Sequence, residues 1–402
     1  MSKAEYITTS INWVITTSKR YSRRIIFVVV GAILTWLVKE YLDDYKMESQ
    51  SNKYIAVVMS GTDKTFTIPK EFKQGFGDEE SIQTTDGVKI NIKKKDDQYS
   101  VQQAKIVAEA LMNDLNCVMI IGNSNSELTE VTLNSILDYS DKTKRPAFIL
   151  PIATADNLIS KSKSEGYESI MRMVPDNQNQ AMLIKRFIFQ VKGSNSNVAI
   201  LVDEDNKTYS SNLSKNIASA IISEDGNIVL NQSYGNSQRL VTTFEVLKAN
   251  KIMPDVIVYV GVSSNALLLI EELKAFKINI PVIFTDGSTV EEVMKKAKRL
   301  LSENAYFLSP VLMNNSKNIQ PTYEAIGKDA HSLAKKILNG VTGEITRESV
   351  SKHISKNKTD IGLDSGFAGA YGFNAEGNNV KMDFKIYHHT TDGALKEVQG
   401  IK

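Results

Sequence analysis

Residues 117–131 read CVMIIGNSNSELTEV. The opening CVMIIG is a continuous apolar run, not an alternating one, which suits a β-strand covered on both faces, as in a parallel sheet flanked by helices. It ends at Gly122 and gives way to Asn123, Ser124, Asn125 and Ser126. In open parallel sheets, ligands bind in the crevice beyond the carboxyl ends of the strands. A buried strand that delivers short polar residues at its carboxyl end therefore predicts both a fold class and a place to look for function.

The pattern recurs along the chain. Strand-like runs are YIAVVMS (54–60), VKINIKK (88–94), CVMIIG (117–122), AFILPIA (147–153), VAILVD (198–203), GNIVLNQ (226–232), VIVYVG (256–261), PVIFTD (281–286) and AYFLSP (305–310). Between them lie longer amphipathic stretches such as 100–115, 179–192, 210–223 and 289–302, which read as helices. Strands alternating with helices make a doubly wound α/β protein, and these strands are too many for one small sheet. The expected fold class is α/β, with two Rossmann-like doubly wound lobes. The 402 residues agree, since roughly 150 residues per domain gives two or three domains.

Composition narrows the function. The formal net charge is +2, so no global basic field holds nucleic acid, and none is expected as a partner. The apolar share of 42% is that of an ordinary globular chain. One cysteine, Cys117, rules out an intramolecular disulfide and any multi-cysteine zinc site. The four histidines (His331, His353, His388 and His389) have no metal-ligand spacing, so neither a metal nor a cofactor is expected.

The front end is unusual. Residues 25–38 read IIFVVVGAILTWLV without a charge, preceded by Lys19, Arg20, Arg23 and Arg24. A full span needs about 20 apolar residues, but Tyr21, Trp36 and Tyr41 suit membrane interfaces and Lys39 can snorkel. A cleaved signal peptide and a buried soluble helix compete with an uncleaved signal anchor. The basic cluster favours the anchor, and no small-residue cleavage site follows Val38. The expected organisation is a cytoplasmic segment 1–24, a transmembrane anchor 25–41 and a linker 42–52. The rest of the chain is then expected outside the cytoplasm, periplasmic or extracellular, on a single-pass membrane protein.

Reading the other strand ends adds Ser60-Gly61-Thr62, Ile152-Ala153-Thr154-Ala155, Asp203 to Tyr209, Gly261-Val262-Ser263-Ser264 and Asp286-Gly287-Ser288. Such residues cap helices everywhere, but together they also form sites for small anionic groups.

These segments resemble a known family. CVMIIGNSNSELTEV, RPAFILPIATADNL (145–158), SIMRMVPDNQNQAMLI (169–184), VAILVDEDNKTYSSNL (198–213), DVIVYVGVSSNALLLIEEL (255–273), PVIFTDGS (281–288) and GFAGAYGFNAEGNN (366–379) are similar, in order and spacing, to the leucine/branched-chain amino-acid binding proteins. These are type I periplasmic binding proteins of transport systems. The resemblance runs from about Lys53 to Val398. It implies two lobes joined by three crossovers, with lobe 1 at 53–174 and 309–347 and lobe 2 at 175–308 and 348–402. It implies no enzymatic activity, capture of a small amino-acid-like ligand by closure of the lobes, and an ABC transporter permease or another membrane partner. The alternative is a ligand-sensing or scaffold subunit of the same fold, with a degenerate pocket.

Carried over residue by residue, the resemblance implies that Ser126 holds the ligand carboxylate and that the Ile152 carbonyl meets the ammonium. Thr154 binds both groups, Tyr209 is the aromatic of the second lobe, and Asp286 pairs with the ammonium. Some residues depart from the family. The stretch 62–87 contains Pro69 and several glycines where a long first helix is usual, and Tyr99 and Phe66 do not obviously replace its aromatic. Val262 stands in place of a second aromatic, and Asp286 is one methylene shorter than the usual glutamate. Branched-chain specificity therefore does not follow.

An anchored glycosyltransferase-like enzyme is the rival class. The chain has no G-x-S-x-G elbow (261–265 reads GVSSN), no phosphate-binding P-loop and no G-x-G-x-x-G after a strand. Asp96-Asp97 reads as a structural turn, and Asp203, Glu204 and Asp205 as a solvated loop. Cys117 reads as a small buried apolar residue, Arg172 as a brace for the hinge, and His388-His389 as packing in a terminal strand.

Overall fold

The computed structural model describes residues 31–36, 38–39, 52–61, 67–235, 245, 252–310, 322–391 and 393–401. The chain divides into a unit Met1–Asn52 and a unit Lys53–Lys402. In the first, the described residues 31–36 are helical. The expected segment 1–24, most of the expected anchor 25–41 and most of the linker 42–52 lie outside the described residues. Among the described residues, no helix is long and apolar enough to cross a membrane.

The second unit holds two main sheets. The first contains β1 (Tyr54–Val58), β2 (Ser81–Gln83), β3 (Lys89–Lys95), β4 (Cys117–Gly122), β5 (Ala147–Leu150) and β6 (Ile170–Arg172), in the order β2-β3-β1-β4-β5-β6. All its pairings are parallel except β2 with β3. The second contains β7 (Asn197–Asp203), β8 (Asn227–Tyr234), β9 (Val256–Val260), β10 (Val282–Phe284) and β11 (Ala305–Ser309). After a small ribbon of β12 (Gly362–Leu363) and β13 (Tyr371–Gly372), it is completed by β14 (Lys385–His389) and β15 (Leu395–Glu397). Its order is β15-β14-β11-β10-β9-β7-β8, with β14 and β15 antiparallel at the edge. Each of the nine apolar runs read from the sequence overlaps one of these strands, to within three residues at its ends.

The continuous runs have a packing reason. In β1, Ile55 and Val57 face one core while Tyr54, Ala56 and Val58 face another. In β9, Ile257 and Tyr259 face one core while Val256, Val258 and Val260 face the opposite one. Both faces of each sheet are covered by helices, so alternation would bury polar groups.

The helices are α1 (Thr67–Phe76), α2 (Val101–Asn113), α3 (Ser126–Leu137), α4 (Asn157–Ser164), α5 (Asn177–Lys192), α6 (Lys207–Ile222), α7 (Ser263–Ala275), α8 (Glu291–Leu301), α9 (Thr322–Gly340) and α10 (Arg347–Asn357). The first sheet is covered on one face by α2, α3 and α4. On the other, α1 supplies Phe72 and Phe76, α9 supplies Ile326, Leu333 and Ile337, and α10 supplies Val350 and Ile354. Helices α1 and α9 touch backbone to backbone. A Cβ on Gly75 would come within 1.8 Å of the Glu324 carbonyl oxygen, and one on Gly327 within 2.3 Å of the Phe72 oxygen.

One boundary needs correction. The reading that gave 348–402 to the second lobe fails, because Val350, Ile354, Ile361, Tyr371, Phe373 and Met382 all pack in the core of the first sheet. The chain returns to the second sheet only with β14. The amphipathic pattern of α10 is the same whichever sheet it covers, so nothing local marked its allegiance.

Two crossovers between the lobes run side by side. Arg172 N–H donates to the Gly377 carbonyl at 2.7 Å, Asn379 N–H to the Arg172 carbonyl at 3.1 Å, and Asn379 Nδ2 to the Met173 carbonyl at 2.7 Å.

Candidate functional site

A cavity of about 40 Å3 lies where the carboxyl ends of the two sheets face each other, and Ser126, Ile152, Thr154, Tyr209 and Asp286 all line it. The structure therefore brings together the five residues that the resemblance singled out.

On the first lobe, β4 ends and the chain turns into α3 through Asn125. Its Oδ1 accepts the Leu128 N–H at 2.9 Å and caps the helix. Ser126 opens the helix, buried, with its Oγ accepting the Ala155 N–H at 3.3 Å. Beyond β5, the Thr154 carbonyl is fixed by the Asn177 N–H and by Arg172 Nη1, both at 2.9 Å, and the Ala155 carbonyl by the same Arg172 nitrogen at 2.9 Å. Arg172 also reaches Asn378 Oδ1 and Asp176. It is almost fully buried and holds the backbone behind the cavity without lining it. With its carbonyl taken up, Thr154 presents an N–H and a hydroxyl that have no protein partner among the described residues.

On the second lobe, Tyr209 sits in the first turn of α6 and Asp286 opens the 3-10 turn just after β10. Asp286 Oδ1 accepts from the Tyr209 hydroxyl at 2.6 Å and from Gln180 Nε2 at 2.8 Å. Burial pushes its carboxyl above the usual carboxylate range, against the pull of the Tyr209 and Gln180 bonds, and among the described residues no cationic side chain pairs with it. A buried carboxylate with donors but no cation is an electrostatic demand waiting to be met. A Cβ on Gly287 would press on the Tyr209 ring at 3.3 Å and on the Gly261 carbonyl oxygen at 2.9 Å, so glycine lets the ring reach the acid.

The Asp203–Asp205 loop is solvated at Glu204 and Asp205, as the sequence suggested, but not at Asp203. Asp203 is buried and accepts from Tyr259 Oη at 2.8 Å, the Val262 N–H at 3.1 Å and Asn265 Nδ2 at 2.9 Å. It fixes the loop that places Val262 and Ser263 on the cavity wall. The turn at Asp96-Asp97 is structural, with Asp97 accepting from Ser60 Oγ at 2.5 Å and Asn123 Nδ2 at 3.1 Å. Just beyond it, Tyr99 has a left-handed backbone (φ 53°) and enters the cavity wall, a place the sequence reading had not given it. Phe66 lies outside the described residues. Ile68 and Pro69 of α1 and Tyr323 of α9 also line the cavity. Sequence reasoning missed all three, because each comes from a helix end distant in sequence from the strand ends that were searched.

The lobes meet directly beside the cavity. Glu127 N–H donates to Asn206 Oδ1 at 3.3 Å, Thr208 Oγ1 to Glu130 Oε2 at 2.8 Å, and Asn216 Nδ2 to Asp156 Oδ2 at 2.5 Å. Glu127 and Glu130 of α3 and Asp156 just before α4 thus face Asn206 just before α6 and Thr208 and Asn216 within it, so the lobes touch across the cleft. Among the described residues, no group of three His, Cys, Asp or Glu side chains could hold a metal ion.

Residues 59–394 match the family described as "Periplasmic binding protein". Solved structures share the fold. The leucine-binding protein LivK of Thermotoga maritima aligns with a TM-score of 0.70 at 15% identity, over 86% of this chain and 97% of its own. The branched-chain amino-acid transporter substrate-binding protein LivJ of Streptococcus pneumoniae, in complex with isoleucine, gives 0.65 at 20% identity, over 86% and 99%. A solute-binding protein of R. palustris in complex with benzoate gives 0.67 at 12% identity, over 86% and 95%. No curated protein sequence matches the chain.

Proposed function

We propose, from the premise that the chain belongs to the periplasmic binding protein family, that it is a solute-binding protein that captures a small amino-acid-like ligand between its lobes. The observation that carries this reading is the placing, across one cavity, of the buried carboxylate of Asp286 opposite the N–H and hydroxyl of Thr154, the first without a cationic partner and the second pair without a hydrogen-bond partner among the described residues. A zwitterion answers both. Its ammonium meets Asp286, with the Ile152 carbonyl beside it, and its carboxylate meets Thr154 and Ser126 at the start of α3. The helix N-terminus adds favourable potential for the anionic end. In a closed, dry cleft such charge-assisted bonds are stronger than in water. Tyr209 orients Asp286 through its hydroxyl. Capture is reversible and no covalent bond is made or broken.

The LivJ structure holds isoleucine, which supports an amino-acid-like ligand and an ABC transporter permease as the partner that receives it. The uncharged run at 25–38, with four basic residues just before it, supports a single-pass anchor that holds the binding lobes outside the cytoplasm. Thr154→Ala and Asp286→Ala are each expected to weaken binding by about 1–3 kcal/mol in calorimetry. Unchanged affinity in both variants would remove the assignment.

A further inference from the structure

We propose that the polar face of α6 clasps the two lobes together from outside the cavity, and that Asp156 is the positioning residue of this clasp, holding Thr154 and Asp286 opposite each other before a ligand arrives. Its effect on how long a ligand is retained rests on the capture reading above.

Helix α6 buries Leu213 and Ile217 in the core of the second lobe. On another face the same helical spacing sets Thr208, Asn212 and Asn216 four residues apart in one half-buried row. That row meets two acids of the first lobe. Thr208 Oγ1 donates to Glu130 Oε2 at 2.8 Å, and Asn216 Nδ2 to Asp156 Oδ2 at 2.5 Å. Between them, Asn212 Oδ1 accepts the Asp156 N–H at 3.2 Å. The Gln178 N–H, at the start of α5, donates to Asp156 Oδ1 at 3.2 Å. Asp156 therefore gives its N–H and both carboxylate oxygens to the other lobe, and bonds to a charged carboxylate are the stronger kind.

That is not the habit of an aspartate in this place. Asp156 stands at the N-cap of α4, where such a side chain ordinarily accepts an N–H of its own helix. It makes no such bond, and its backbone is helical (φ −65°, ψ −35°). Separating the lobes would free the carboxylate to turn back onto α4, so it has one set of partners for each position of the lobes.

The clasp is tied to the site by a chain of bonds. Asn212 Oδ1 also accepts from Asn177 Nδ2 at 2.8 Å, and the Asn177 N–H donates to the Thr154 carbonyl at 2.9 Å. Gln180, one turn further along α5, donates to Asn177 Oδ1 at 3.4 Å and to Asp286 Oδ1 at 2.8 Å. Asp156, Asn212, Asn177 and Gln180 stand behind the cavity without lining it. They act on the position of Thr154 and Asp286, not on the ligand.

The test is double electron–electron resonance on the full chain in detergent, without ligand. Spin labels go on Gln102→Cys of α2 and Lys274→Cys of α7, one exposed position on each lobe, while Cys117 is buried. The parent is expected to show mainly a short distance between the lobes. Asp156→Ala removes two of the bonds, and Asn216→Asp sets two carboxylates against each other. Each is expected to shift the ratio of long to short distances at least about tenfold. Adding Asp156→Asn to Asn216→Asp pairs an amide with a carboxylate again and is expected to restore the short distance, a rescue that a merely stabilising residue would not give. A long distance in the parent, an unmoved distance in Asp156→Ala, or no rescue in a cooperatively melting double variant would overturn the clasp. Asp156→Ala decides alone if the double variant fails to fold. Amino-acid binding to the same proteins, by calorimetry, is expected to weaken about tenfold in Asp156→Ala. Equal affinity in parent and variant would overturn the role in retention. Distances that behave as expected in a parent that binds no common amino acid would uphold the clasp and overturn the capture reading.

Discussion

The hydroxyl of Tyr323 donates to the backbone carbonyl of Asp286 at 3.1 Å. Tyr323 lies in the first turn of helix α9, which packs on the first sheet, and Asp286 opens the turn after strand β10 of the second, so the bond spans the two lobes beside the cavity. Separating the lobes would break it. Tyr323→Phe removes the donor and keeps the ring. Its expected effect is an affinity loss of about 1 kcal/mol, or about fivefold, appearing as faster release with little change in capture. Stopped-flow dissociation checks this, and an unchanged release rate would show that the bond does not latch the lobes.

Glu71 sits beside that latch, its carboxyl accepting from the Tyr323 N–H. Burial, with Glu291 and Glu324 nearby, pushes it up to about 7 from an ordinary value of 4.5. The folded protein therefore holds this proton at pH values where the unfolded chain has lost it. Its contribution to stability is full below about pH 4.5 and is lost as pH rises through 7. Glu71→Gln is expected to remove this decline, so the variant gains melting temperature relative to the parent at pH 8 and gains less at pH 4.5. Parallel melting curves across pH 4–8 would contradict it.

Arg347 is buried and donates only to carbonyls. These are Cys117 at 2.8 Å, Met112 at 3.1 Å, Lys144 at 2.9 Å and Asp114 at 2.7 Å, with Leu111 a fifth. The guanidinium gathers the ends of α2, β4 and the turn before β5 onto α10. Lysine has the charge but lacks the planar fork of donors. Arg347→Lys is expected to destabilise the fold by about 2–4 kcal/mol in urea titration, and a smaller loss than about 1 kcal/mol would count against this role.

Cys117 is fully buried in β4, and burial pushes its thiol up to about 12. The thiolate is the reactive form. A maleimide at pH 7.5 is expected to leave the native chain unlabelled and to label it stoichiometrically in guanidinium. Fast labelling of the folded protein would place the strand at the surface.

How much of this was legible beforehand depends on range. The nine strands were readable because each is a short, doubly buried run whose pattern is local. The five cavity residues followed from their places at strand ends and from the resemblance of their surroundings. Tyr323, Ile68 and Pro69 were not legible, since they reach the cavity only through the crossing of α1 and α9, a contact made across the whole of the second lobe in sequence. Asp203 was misread for a related reason. Its partners Tyr259, Val262 and Asn265 come from the next-but-one strand and helix, and an aspartate among charged neighbours looks solvated until they are seen.

The helices that finish the first lobe have a consequence for how the molecule is made. Ile55, Val57 and Ile121 of the first sheet rest against residues of α9 and α10, such as Leu333 and Ile354. On the ribosome those helices emerge after every strand from β1 to β11. Through all that time one apolar face of the first sheet has only α1 to cover it, and the second lobe acquires its antiparallel strands β14 and β15 later still. The first sheet's second face is therefore completed only as the last quarter of the chain appears, together with the last strands of the second lobe.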